Sequence, residues 1–137
     1  MSRSSRSRTE VFNRAQGRQR LDFARKCHET AELVGSDRDD TYAGKVAVSL
    51  YVLAGIASAD AIGAGSIGER WRGEDHRGAI AFLRSAVPSD QPSKHLSALL
   101  DLKDTAHYSI ALINVDAQKK AERASAALIE KARGLLA

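Results

Sequence analysis

Residues 46–67, VAVSLYVLAGIASADAIGAGSI, decide the fold. Ser49, Ser58, Asp60 and Ser66 are the polar side chains of a run that is otherwise apolar and long enough to cross a bilayer. Asp60 near its middle argues against insertion, at roughly 2.5–3.5 kcal/mol on an insertion scale. The preponderance of Ala and Gly over Leu, Ile and Phe, and flanks without an aromatic belt, argue the same way. The run reads instead as the buried central helix of a bundle, with no membrane partner. Gly55, Ala59 and Gly63 recur every four residues and give it one smooth stripe. A glycine in a helix costs about 1 kcal/mol relative to Ala, so close packing has to compensate. Two partners for the stripe are open: another helix of the same chain, or a second copy in a homodimer. Asp60 is expected to pair with an Arg or Lys, because an ionised carboxylate is rarely buried alone.

Outward from this run the chain reads as amphipathic helices. Ser7-x-x-Glu10 has capping-box form and opens a first helix to Val34, with Gly35 as its left-handed terminator. Asp39 or Asp40 is placed to cap the central helix, which stops near Gly68. Asp75 caps a third helix with the stripe His76, Ile80, Leu83 and Val87. Ser93 caps a fourth carrying Leu96, Leu99, Leu100, Leu102 and Ala106. After a loop at Ser109–Val115, Asp116 caps a last helix striped by Ala117, Ala121, Ala124, Leu128, Ala132 and Leu135. No strand-like alternation of useful length occurs. The expected fold is all-α, a single five-helix antiparallel bundle over 9–137 preceded by a disordered basic arm at 1–8.

The 137-residue length suits one domain with a real core. A single cysteine, Cys27, excludes an internal disulfide and a thiolate metal cluster. Residues 1–20 are basic and serine-rich without an apolar segment, so no cleavable signal is read there and a cytoplasmic location is expected. Residues 1–26 hold eight Arg/Lys against Glu10 and Asp22, a net +6, which leaves the rest of the chain slightly acidic within the overall +4. The basic arm, with Arg3, Arg6 and Arg8, is therefore the first candidate for phosphate contact. It can equally be a solvated tail or rest on an acidic partner protein.

No P-loop, dinucleotide turn, His-Glu-x-x-His or nucleophile elbow is present, and the histidines at 28, 76, 95 and 107 lie too far apart for a metal site by spacing. Neither a metal nor another cofactor is expected. Two clusters remain. In Arg70-Trp71-Arg72-Gly73-Glu74-Asp75-His76-Arg77, a histidine in the first turn of a helix stands beside Arg70, Arg72 and Arg77. That combination suits phosphodiester chemistry, His as acid or base and Arg on the developing charge. The alternative is that His76 merely closes the end of the core. In Leu102-Lys103-Asp104-Thr105-Ala106-His107-Tyr108, Lys103 and His107 share a helix face. With Asp104 and Tyr108 they make either a phosphate or nucleotide pocket or a structural pair.

The small-residue helix, the break followed by DHRGAIAFL, and the Leu-Lys-Asp-x-x-His-Tyr segment resemble the HEPN superfamily (higher eukaryotes and prokaryotes nucleotide-binding domains) over residues 40–135. Ribonuclease members of that superfamily are helical dimers whose Arg and His converge in a cleft and cleave RNA without metal, often as toxins or defence effectors. Other members serve as nucleotide- or partner-binding modules. Here Lys103 stands where Arg is usual, with three residues between it and His107, while Arg70 and His76 enclose five residues with Trp71 after the Arg. The resemblance implies a nucleic-acid- or nucleotide-associated module, with endoribonuclease activity from a degenerate site built on His107 and Lys103 or on His76 and Arg70. The alternative is a non-catalytic homodimeric protein-interaction bundle.

Overall fold

The computed structural model describes residues 8–137, Asp90 by its backbone alone. Five helices account for most of it: α1 (Arg14–Gly35), α2 (Ala43–Ser66), α3 (His76–Ala86), α4 (Asp90–His107) and α5 (Val115–Leu135). A two-stranded antiparallel ribbon, β1 (Thr9–Val11) and β2 (Glu69–Trp71), is added to them, with Thr9 opposite Trp71, Glu10 opposite Arg70 and Val11 opposite Glu69. The fold is the expected all-α bundle. The ribbon was not expected, because three-residue strands are too short for alternation to show.

α2 is the axis of the bundle. It runs along α1 and packs on α5 and α4, and Val48, Tyr51, Val52 and Ile62 are sealed in the core with Leu83, Leu96, Leu99 and Leu128. By length and apolarity α2 could cross a membrane, yet most of it is buried against the other helices. At its two glycines the small-residue stripe is filled within the chain. A Cβ on Gly55 would lie 2.3 Å from Leu99 Cδ1 of α4, and one on Gly63 would lie 2.1 Å from the Glu69 carbonyl oxygen of β2. At both glycines the surface proposed for a second copy is thus occupied by the chain's own α4 and β2. At the α1–α2 crossing, Gly17 meets Ala64 and Gly35 meets Ala47, which fixes the two helices as antiparallel.

Helix ends depart from the sequence reading in register. α1 is capped by Asn13, not Ser7: Asn13 Oδ1 accepts from Gln16 N and Gln16 Oε1 from Asn13 N, both at 2.8 Å. Ser7 lies outside the described residues, and Glu10 lies in β1. Gly35 is the last residue of α1 and has no left-handed φ; it is small because Gln118 of α5 crowds it. Tyr42 precedes α2 without a side-chain cap, Asp40 Oδ1 accepting from Tyr42 N one turn earlier. Ser89 caps α4 and Asn114 caps α5, so Ser93 is buried within α4 and Asp116 sits in the first turn of α5. Two expectations hold as read: Asp75 caps α3, Oδ2 accepting from Gly78 N at 2.9 Å, and α2 stops near Gly68, ending at Ser66 two residues before this, the only positive-φ residue described.

Candidate functional site

The short Val87–Ser89 connection folds α4 back on α3, which brings the start of α3 beside the end of α4. A cavity of about 470 Å³ opens there, between these two helices and α2. Its wall is apolar: Ile56 and Ala59 of α2, Phe82 of α3, Leu96 and Leu100 of α4. Its ionisable groups are Asp60, Glu74, Asp75, His76 and Lys103. The first sequence cluster therefore contributes Trp71, Gly73, Glu74, Asp75 and His76, and the second contributes Lys103. His76 and Lys103 share the cavity, and neither side chain makes a hydrogen bond or an ion pair among the described residues.

The acids are mostly compensated. Asp75 Oδ1 takes Arg8 Nη1 at 3.0 Å while its other oxygen caps α3. Asp60 Oδ2 accepts from Arg20 Nε of α1 at 3.0 Å and from Arg70 Nη1 of β2 at 3.4 Å. This is the expected Arg partnership for Asp60, doubled. Burial still pushes the Asp60 carboxyl above its ordinary value, outweighing the downward pull of Arg20 and Arg70. Glu74 is exposed at the rim. The charged side chains lining the cavity without a partner among the described residues are thus Lys103 and, at the exposed edge, Glu74.

Arg70 is engaged elsewhere. Its Nε donates to Glu10 Oε1 at 2.6 Å, and its guanidinium lies 4.4 Å from the centre of the Phe12 ring, in addition to its Asp60 contact. It clamps β1, β2 and α2 together and does not line the cavity. Arg72 approaches Glu10 at 3.8 Å, Arg8 is tied to Asp75 and to the Arg72 backbone N–H, and Arg77 is exposed. Arg3 and Arg6 lie outside the described residues. His107 is half-buried with Tyr108 edge-on at 5.8 Å; these two and the exposed Asp104 stand apart from the cavity. His28 is satisfied structurally, bonded through Nδ1 to Ser125 Oγ at 2.9 Å.

Sequence reasoning passed over Trp71 as a lining residue. Its ring lies against Gly73 and Gly78, where a Cβ would fall 2.5 and 2.3 Å from Trp71 Cζ2, and it tilts toward Phe82 at 6.4 Å. The indole N–H is buried without an acceptor among the described residues. The signal was a tryptophan followed by two glycines, at +2 and +7. No group of three His, Cys, Asp or Glu side chains among the described residues is placed to hold a metal ion. No family model matches the chain, and no curated protein matches it.

Proposed function

We propose that the chain is a cytoplasmic helical module of HEPN type that binds a nucleotide or an RNA end in the α2–α3–α4 cavity. The observation that carries this reading is that His76 and Lys103, 27 residues apart, line one apolar-walled cavity with side chains that have no partner among the described residues. The α3 N-terminus and the Lys103 ammonium favour a phosphate at that end. The wall of Ile56, Ala59, Phe82, Leu96 and Leu100 suits the flat face of a base. If RNA is cleaved, His76 is the acid or base and Lys103 carries the developing negative charge, a division of labour that needs no metal.

Trp71 is the sole tryptophan and lines the cavity, so its fluorescence reports occupancy directly. Nucleoside monophosphates should change it saturably, and Lys103→Ala should weaken binding about tenfold, equivalent to about 1.4 kcal/mol. Absence of any saturable change would refute the site. Incubating RNA with EDTA then separates the two forms of the proposal. Cleavage lost in His76→Ala but kept in His107→Ala marks a ribonuclease, and no cleavage marks a binding module.

One observation favours the interaction-bundle alternative. Tyr108, Ile110 and Leu112 alternate along the α4–α5 loop and are all exposed, Ile110 at 99%. A mass measurement in solution that shows a dimer, lost in Ile110→Asp, would favour that reading.

A further inference from the structure

Asp60 is the most buried acid of the cavity, and its two oxygens have different surroundings. Oδ2 takes both arginines, Arg20 at 3.0 Å and Arg70 at 3.4 Å. Oδ1 accepts no hydrogen bond among the described residues, although a carboxylate oxygen has two lone pairs to fill. The side chain keeps 13% exposure and lines the cavity beside Ile56 and Ala59. Arginines arriving from α1 and β2 fix the carboxylate in place, so Oδ1 is a preformed acceptor and not a swinging one. Asp75, by contrast, has spent one oxygen on Arg8 and the other on the α3 cap.

A ligand that satisfies these groups has an anionic head for Lys103 and His76, a flat apolar body, and an N–H donor for Asp60. We propose that Asp60 Oδ1 reads the base, accepting from the exocyclic amine of cytosine, adenine or guanine and rejecting uracil. Uracil presents a carbonyl oxygen where cytosine presents its amine, so acceptor would face acceptor. A carboxylate taking the cytosine amine is an established pairing. A buried polar group left unpaired is also what lets a site reject a close analogue. This inference rests on the cavity being the nucleotide site proposed above.

The test is a Trp71 fluorescence titration of the full chain at pH 8 with cytidine 5′-monophosphate and uridine 5′-monophosphate. The cytidine nucleotide should bind about tenfold tighter or better. In Asp60→Asn the amide oxygen must keep the arginine position, because an NH₂ group cannot face a guanidinium, which turns the NH₂ toward the cavity. The preference should then reverse in favour of uridine. Equal wild-type affinities overturn the base reading and leave the nucleotide site standing. Binding of neither nucleotide overturns both. A cytidine preference retained in Asp60→Asn removes Asp60 from the role. If circular dichroism shows that the variant does not fold, N4,N4-dimethylcytidine 5′-monophosphate on the wild-type protein decides. Lost affinity upholds the inference, and unchanged affinity overturns it.

Discussion

Gly63→Ala probes the packing that holds the site together. The added methyl carbon would lie 2.1 Å from the Glu69 carbonyl oxygen, so the β2 backbone must retreat by about 1 Å to reach the shortest separation real Cβ atoms show. That carbonyl belongs to a strand paired with β1, and the neighbouring Arg70 is bonded to Asp60 and Glu10, so retreat strains the clamp as well. Overpacking of this kind costs about 1–3 kcal/mol. Replacing a helical glycine by alanine returns up to about 1 kcal/mol. The net expectation is a loss of about 1–2 kcal/mol, or a fall in Tm of about 3–8 °C for a chain of this size. Gly134→Ala is the matched control: it lies in α5 with nothing within 4 Å of the added carbon, so it should be neutral or gain a few tenths of a kcal/mol. Thermal melts followed by circular dichroism and by Trp71 fluorescence measure both. A Gly63→Ala protein as stable as wild type would refute the close approach of α2 to β2.

Two further outcomes are expected. Asp60 has its carboxyl raised in the folded chain by burial, so its contribution to stability is fully present below its ordinary value of 3.8 and is lost as pH rises through the raised value. Urea melts across that window should therefore show wild type losing stability relative to Asp60→Asn as pH increases; a parallel pair of curves would contradict the burial argument. Lys45 Nζ donates to the carbonyls of Ser109 and Ala111 and holds the α4–α5 loop against α2. Lys45→Met should hasten proteolytic nicking within 108–114 with little change in Tm, and unaltered nicking would show that the clamp is not what orders the loop.

The helices were legible because their evidence is long. The run at 46–67 and the Ala and Leu stripe of α5 give many apolar positions in phase, so a capping residue misplaced by a few positions does not alter the fold. Ends rest on single side chains, and several residues of the right kind compete: Ser7 and Asn13, Ser93 and Ser89, Asp116 and Asn114. Only the tertiary position of the first turn chooses among them. The cavity was half legible. Both clusters contained a true lining residue, but local spacing paired His76 with Arg70 and Lys103 with His107. The chain reversal at Val87–Ser89 pairs His76 with Lys103 instead. Arg70 looked available because the sequence hides Glu10, Asp60 and Phe12, each of which reaches it from another element.

The β1–β2 ribbon also orders the folding of the chain. The Glu10–Arg70 contact closes a loop of 60 residues around the whole α1–α2 hairpin. Its closure entropy is smaller once those helices have zipped together locally, so the hairpin is expected to form first and the ribbon to close late. The ribbon also carries the arginine that steadies Asp60 and the tryptophan that lines the cavity. The proposed binding cavity would thus be completed only at the end of folding, and a transient detachment of the first strand would open its wall while leaving the helical bundle intact.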